Sequence, residues 1–300
     1  MTEAMGIAAD QAQTVPNSAG TARPKLRAPA NACDCHIHIY DPERFAFTPS
    51  SKVAPRHATA PDYRLLQRRL GTTRGVIVTP RNYATDNRAT VDAIAQLGKD
   101  GRGIAVLRPT VTERELEKLH QAGVRGTRLT LGDPASAIVN PTMIAPLASR
   151  VAELGWHVQL NVSGDQIVEL VNILERLPCQ LVFDHMANPS LPAGIGHPSH
   201  KIVRRLIDSG RAWVKLSGAY LNSQIGPPSY PEATAIARAF VKASPERLLW
   251  GSDWPHPSLA DDHKPNDANL FDLLSEWAPQ KWVRHRILVQ NPAELYGFGK

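Results

Sequence analysis

The densest chemistry in the sequence lies between Asn31 and Tyr40, which reads Asn-Ala-Cys-Asp-Cys-His-Ile-His-Ile-Tyr. An extended strand alternates its faces, so Asp34, His36 and His38 are expected on one side and Cys33, Cys35, Ile37 and Ile39 on the other. A carboxylate and two imidazoles sharing a face are costly to bury without a use. They suit acid–base work or metal binding better than a core. Groups that could stand opposite them are His185, after Phe183-Asp184, and Asp253 and His256, in Gly-Ser-Asp-Trp-Pro-His.

The elements that must position these residues follow a regular alternation. Short apolar runs are predicted strands at 75–79, 103–107, 124–131, 156–162, 180–184, 212–216 and 247–251, after the first. Helices are predicted over 62–70, 86–97, 112–121, 141–154, 165–177, 199–209, 231–243, 267–277 and 279–289. Eight strands alternating with helices predict an α/β fold, a closed (β/α)8 TIM barrel. An open doubly wound sheet would want a Gly-rich phosphate turn after the first strand, and none is there.

In such a barrel the chemistry gathers at the C-terminal ends of the strands. Sorted by this rule, His36 and His38 end strand one, Arg81 follows strand two and Arg108 follows strand three. Arg128 lies on strand four, facing inward with Gly126 and Thr130, and Asn161 ends strand five. Asp184 and His185 end strand six, Ser217 ends strand seven, and Asp253 and His256 follow strand eight. Arg108 is equally suited to tying loops together. Asp184 is expected to face away from its neighbour His185. His57, His120, His197, His200, His263 and His285 fall on loops and helices and are expected at the surface.

Composition excludes other classes. No apolar run approaches the ~20 residues of a bilayer span, and no basic-then-apolar leader opens the chain. Three cysteines, two of them on one strand, argue against a disulfide framework and for a reducing cytoplasm. The net charge of +6 is spread out without a basic block, which speaks against nucleic acid and suits steering of an anionic small molecule. Residues 1–29 lack periodicity and read as a flexible tail, leaving 30–300 as one barrel domain. The long Pro-rich connection 41–61 reads as a cover. No pattern addresses oligomeric state.

The pattern resembles the amidohydrolase superfamily in its amidohydrolase-2 branch. The resemblance spans Ala32 to Phe298. It is carried by Asp34-Cys-His-Ile-His38, Val124-Arg-Gly-Thr-Arg128, Phe183-Asp-His185, Gly251-Ser-Asp-Trp-Pro-His256 and Val289-Gln-Asn-Pro-Ala-Glu-Leu-Tyr296. Within the branch the chain is most similar to 2-pyrone-4,6-dicarboxylate lactonases. This implies a metal-independent, lactone-opening hydrolase with Asp253 as the base. His36, His38 and His185 would surround the lactone carbonyl, and Arg128 would hold a substrate carboxylate. It also implies departures. Positions that carry further arginines and tyrosines in those lactonases hold Val53, Pro134, Asn161 and Leu221, and Arg81 replaces a serine. Each lost charge-assisted bond is worth ~1.5–3 kcal/mol, so a substrate other than the pyrone dicarboxylate is expected. Aldaric-acid lactone isomerases share the frame but lack the first histidine and carry Asn in place of Asp253. Retention of both favours hydrolysis here.

His36, His38, His185 and Asp253 also form a plausible zinc set. Metal-dependent relatives add a ligand at the end of strand five. Here that end is Asn161, and His157 lies ~13 Å down the strand at ~3.3 Å per residue. The expectation is therefore no cofactor, with a zinc-dependent hydrolase or decarboxylase as the alternative. The expected partner is a small lactone or carboxylate, contacted by Arg128, Arg81, Asn161, Ser217 and His256. A barrel that binds a lactone without turning it over belongs to a different class, and the complete Asp253–histidine set argues against it.

Overall fold

Runs such as Arg74-Gly-Val-Ile-Val78 form strands that are buried on both faces. That is why they read as continuous apolar stretches rather than as alternating ones. In the computed structural model, which describes residues 14–49, 57–131 and 140–299, eight parallel strands pair in sequence order. They are β1 (Cys33–Ile37), β2 (Arg74–Val78), β3 (Gly101–Ala105), β4 (Val124–Thr130), β5 (His157–Asn161), β6 (Leu181–Phe183), β7 (Ala212–Leu216) and β8 (Leu248–Trp250). The helices around them are α1 (Ala60–Leu70), α2 (Arg88–Leu97), α3 (Glu113–Gln121), α4 (Pro141–Ala152), α5 (Gly164–Leu174), α6 (Pro198–Asp208), α7 (Pro231–Ala243) and α8 (Asp267–Trp277), followed by α9 (Lys281–His285) and α10 (Asn291–Tyr296). This is the expected TIM barrel. None of the helices among the described residues is long and apolar enough to cross a membrane.

The barrel closes between β1 and the chain leaving β8. Asp253 N–H donates to His36 O (2.9 Å) and His38 N–H to Trp254 O (2.8 Å). The Asp34 carboxylate accepts from the Ser252 backbone N–H (2.9 Å) and hydroxyl (2.6 Å). Gly251 is required at this seam, because a Cβ there would stand 2.6 Å from His36 Cβ.

The expected alternation of β1 does not hold. Its pairing with β2 slips by one residue between Asp34 and Ile37. Such a bulge places two consecutive side chains on one side. Cys33 and Cys35 therefore join the inner cluster with Val76, Val78 and Ile104, and His36 faces inward as well. Asp34 turns outward to the seam, and Ile37 joins the layer beneath the helices.

Two further expectations change. The single helix predicted over 279–289 is α9 and a π-helical turn over Arg286–Gln290, and the chain continues past the predicted end as α10. Pro292, in the first turn of α10, has no N–H to offer an α-register. The helix carries Tyr296 under the barrel floor, its ring 5.5 Å from that of His157. The described part of the expected tail, residues 14–29, lies against the barrel. Trp254 Nε1 donates to Pro16 O (2.8 Å), Arg69 donates to the carbonyls of Ala19 and Gly20 (2.9 Å each), and Lys25 and Leu26 N–H donate to Asp272.

Candidate active site

β1, β6 and β8 deliver His36, His38, His185 and Asp253 to one point at the C-terminal mouth. All four are buried. The His36 and His185 ring centroids are 4.8 Å apart, and those of His36 and His38 5.0 Å. Asp253 Oδ1 stands 3.5 Å from both His36 Nε2 and His38 Nε2. Asp253 and His185 reach these positions in left-handed backbone, at φ +64° and +47°. Strain of this kind gathers where a side chain must be aimed. Asp253 Oδ2 accepts a 2.5 Å hydrogen bond from the Tyr220 hydroxyl, while Oδ1 is buried without a hydrogen-bond partner.

A polar layer lies one step down inside the barrel. Asp184 Oδ2 accepts from Arg128 Nε (2.9 Å) and Gln159 Nε2 (3.1 Å). Lys215 Nζ donates to Gln159 Oε1 (2.6 Å) and contacts His36 Nδ1 at 3.3 Å. Asp184 Oδ1 is 3.2 Å from the same His36 nitrogen but makes no hydrogen bond.

These contacts set the proton positions. His38 Nδ1 lies 2.7 Å from Val78 O, so it must carry a hydrogen, and the neutral ring has a lone pair at Nε2. His36 Nε2, 3.3 Å away, is then the donor to His38, and His36 Nδ1 accepts from Lys215. The chain runs with one polarity from Lys215 through His36 and His38 to Val78.

Burial disfavours charge on all these groups, and neighbours decide which of them ionise. Burial pushes His36 well down, and Lys215 adds to this while Asp184 opposes it. Burial also lowers His185. Burial alone would raise Asp253, but the rings of His185, His38 and His36 outweigh it and hold the carboxyl below the usual range. For Asp184, burial is likewise outweighed by His36, Arg128 and Lys215.

The sequence signature of the family described as amidohydrolase matches residues 33–298. This chain belongs to the amidohydrolase family. It is 33% identical over 287 residues to the 2-pyrone-4,6-dicarboxylate hydrolase of Comamonas testosteroni, covering 93% of this chain and 94% of that one. It is 32% identical over 299 residues to the 4-sulfomuconolactone hydrolase of Rhizobium radiobacter, covering 97% and 99%. A crystal structure from Acinetobacter baumannii, described as a probable 2-pyrone-4,6-dicarboxylic acid hydrolase with citric acid bound, superposes with a TM-score of 0.78 at 28% identity. That match covers 89% of this chain and all of the other. All three are hydrolases by name, one of them of a lactone, and lactone hydrolysis fits this amidohydrolase.

Of the expected substrate contacts, Arg128 faces the mouth side of the polar layer. Among the described residues, Nε is its only nitrogen with a hydrogen bond. Ser217 Oγ lies 3.0 Å from His185 Nδ1 and orients that ring. Asn161 is half-buried, with Asn188 Nδ2 3.5 Å from its Oδ1. Arg81 opens a short 3-10 turn after β2 and is exposed, as is Arg108. His256 is fully buried and faces Tyr220 and Asp267, behind Asp253 rather than in the mouth. Asp184 binds the side chains of Arg128 and Gln159 inside the barrel. His197 caps α6 and bonds Asp165 across to α5. Val53 and Pro134 lie outside the described residues, and Leu221 is exposed beside His185.

Sequence reasoning missed Lys215, Gln159 and Tyr220. Lys215 carried a signal, since a charged residue inside a strand buried on both faces is rare unless it is paired.

The donor set of this amidohydrolase also fits a divalent metal. His36 Nε2, His38 Nε2 and Asp253 Oδ1 are 3.3–3.5 Å from one another. A tetrahedral zinc with bonds of about 2.0–2.2 Å sets its donors about 3.4 Å apart. His185 offers a further donor within 4.8 Å of His36 and Asp253. Binding there requires a lone pair at His36 Nε2, so that Nδ1 would donate to Asp184 instead of accepting from Lys215.

Proposed function

We propose that this amidohydrolase opens the ring of a small, carboxylate-bearing lactone with water activated by Asp253, without a metal. One observation carries this reading: a buried carboxylate has one oxygen committed to Tyr220 and the other unpartnered among three histidines. Oδ1 takes a proton from water as the water oxygen bonds to the lactone carbonyl carbon. The developing oxyanion is met by N–H donors of the cluster, of which His36 Nε2, its polarity set by Lys215, shares with the oxyanion the hydrogen that it gives His38 in the resting site. Collapse breaks the acyl C–O bond, and the departing ring oxygen takes the proton back from Asp253. Arg128 orients the substrate carboxylate through the guanidinium nitrogens that bond no described residue.

A second reading is favoured by the 3.3–3.5 Å donor triangle. His36, His38, His185 and Asp253 would hold zinc, which supplies Lewis-acid polarisation and a water of lowered pKa when bound.

The deciding experiment is acid release in a pH-stat from 2-pyrone-4,6-dicarboxylate, 4-sulfomuconolactone and simple aldonolactones, on protein of measured metal content. Acid release without stoichiometric metal and without chelator sensitivity is expected. Loss of activity on chelation with recovery on zinc would favour the second reading, and silence across the panel would sink both.

A further inference from the structure

Behind Asp253 runs a line of polar groups of which only the first, Tyr220, has entered the chemistry described so far. The Tyr220 hydroxyl donates to Asp253 Oδ2 at 2.5 Å. His256 Nδ1 lies 3.2 Å from the same hydroxyl oxygen. His256 Nε2 lies 3.2 Å from Asp267 Oδ2. His256 and Asp267 are fully buried and Tyr220 is partly buried, so the far end of the line is shut off from water. Because an ionised carboxylate only accepts, Tyr220 must spend its one proton on Asp253, and its oxygen can then only accept from His256.

Each member comes from a different place. Tyr220 sits in the 3-10 turn after β7, His256 in left-handed backbone (φ +57°) after β8, and Asp267 at the start of α8. Asp267 is tied in turn to residues 14–29, since its backbone N–H donates to Ser18 Oγ (3.3 Å). Three elements have been brought together behind a single carboxylate.

We propose that Asp267, His256 and Tyr220 form a positioning chain for Asp253. The chain commits Oδ2 and so fixes Oδ1 as the oxygen that meets water. His256 and Asp267 act only through the tyrosine hydroxyl, which they turn toward Asp253. This inference rests on the lactonase reading for its kinetic consequences but not for its geometry.

The test pairs kinetics with a signal that needs no substrate. On whichever lactone of the panel is hydrolysed, Tyr220→Phe should lower kcat about tenfold or more with KM within about twofold, since a charge-assisted bond to the base is lost. His256→Gln should lower kcat in the wild-type background and add nothing in the Tyr220→Phe background. Separately, the short Tyr220 hydroxyl bond should give a downfield proton NMR resonance in the resting enzyme. It should vanish in Tyr220→Phe and move in His256→Gln. Equal costs of His256→Gln in both backgrounds, or a rise in KM alone for Tyr220→Phe, would overturn the chain. A hydroxyl resonance indifferent to His256→Gln would overturn it even if no lactone is turned over. Silence in the lactone panel with the expected NMR behaviour would instead count against the lactonase reading alone.

Discussion

His36 is the residue on which two chemistries turn. Its Nδ1 faces Lys215 Nζ at 3.3 Å and Asp184 Oδ1 at 3.2 Å, and only one of them can decide the tautomer. With Lys215 donating, Nε2 carries hydrogen and stabilises an oxyanion. With Asp184 accepting, Nε2 offers a lone pair to a metal. Lys215→Met should therefore lower kcat by about 10- to 100-fold, as loss of a partner that orients an active imidazole does. The variant should also retain more zinc than wild type after equilibrium dialysis, measured by elemental analysis. Equal zinc retention would separate Lys215 from the choice of tautomer. Asp253→Asn should abolish acid release yet leave ligand affinity within a few-fold by calorimetry, because the amide keeps the shape and loses the basicity. Near wild-type turnover would remove Asp253 from its role as the base. The cluster was legible in the sequence because His36, His38, His185 and Asp253 end their strands, where a barrel keeps its chemistry. Lys215 was passed over despite its charge inside an apolar run, because it stands one layer below the strand ends. Tyr220 escaped because it lies in a turn beyond its strand.

At the scale of elements, the seam between β8 and β1 adds a buried side chain, Asp34, to its backbone bonds. Burial raises the Asp34 carboxyl to about 7, and the bonds from Ser252 and His36 only partly oppose this. A group with its folded pKa raised binds its proton more tightly folded than unfolded. The folded state therefore loses stability as pH rises from the unfolded value near 4 toward 7. The swing attributable to this one group is roughly 4 kcal/mol. Asp34→Asn should remain folded, since the amide oxygen still accepts from the backbone and the Ser252 hydroxyl can reverse. Its stability relative to wild type, from urea unfolding at pH 4.5 and pH 7, should rise between the two. A constant difference would show that Asp34 is ionised at the seam throughout. The eight strands were legible to within a few residues, because apolar runs between turn signals mark them. The bulge in β1 was not, since Cys-Asp-Cys-His-Ile-His alternates on paper, and only the pairing with β2 reveals the extra residue.

At the scale of the whole molecule, a segment that the sequence gives no reason to count as structure packs on the barrel. Residues 14–29 have no periodicity, and their attachments are backbone atoms meeting side chains some 50 to 250 positions away, as with Arg69 and Asp272. Such long-range pairing leaves no local pattern, so a Pro- and Ala-rich stretch reads as a tail. Its contacts are not spread at random. Pro16 binds the indole of Trp254, which follows Asp253, and Ser18 binds Asp267, which ends the chain behind that carboxylate. Val15 is buried in the core beside them. Removing residues 1–29 therefore exposes apolar surface, orphans Trp254 Nε1 and leaves the Arg69 guanidinium with Asn266 alone of these partners, at about 1 kcal/mol or more for each lost bond. For a chain of this size each kcal/mol moves Tm by about 2 °C, so a fall of ~5 °C or more is expected by scanning calorimetry. The truncated enzyme should also lose kcat more than it changes KM, because the support of Asp253 is weakened while Arg128 and the cluster of β1 and β6 stay in place. An unchanged Tm would mean that the segment contributes nothing net. A lower Tm with unchanged kcat would confine its role to stability and detach it from the residues behind Asp253.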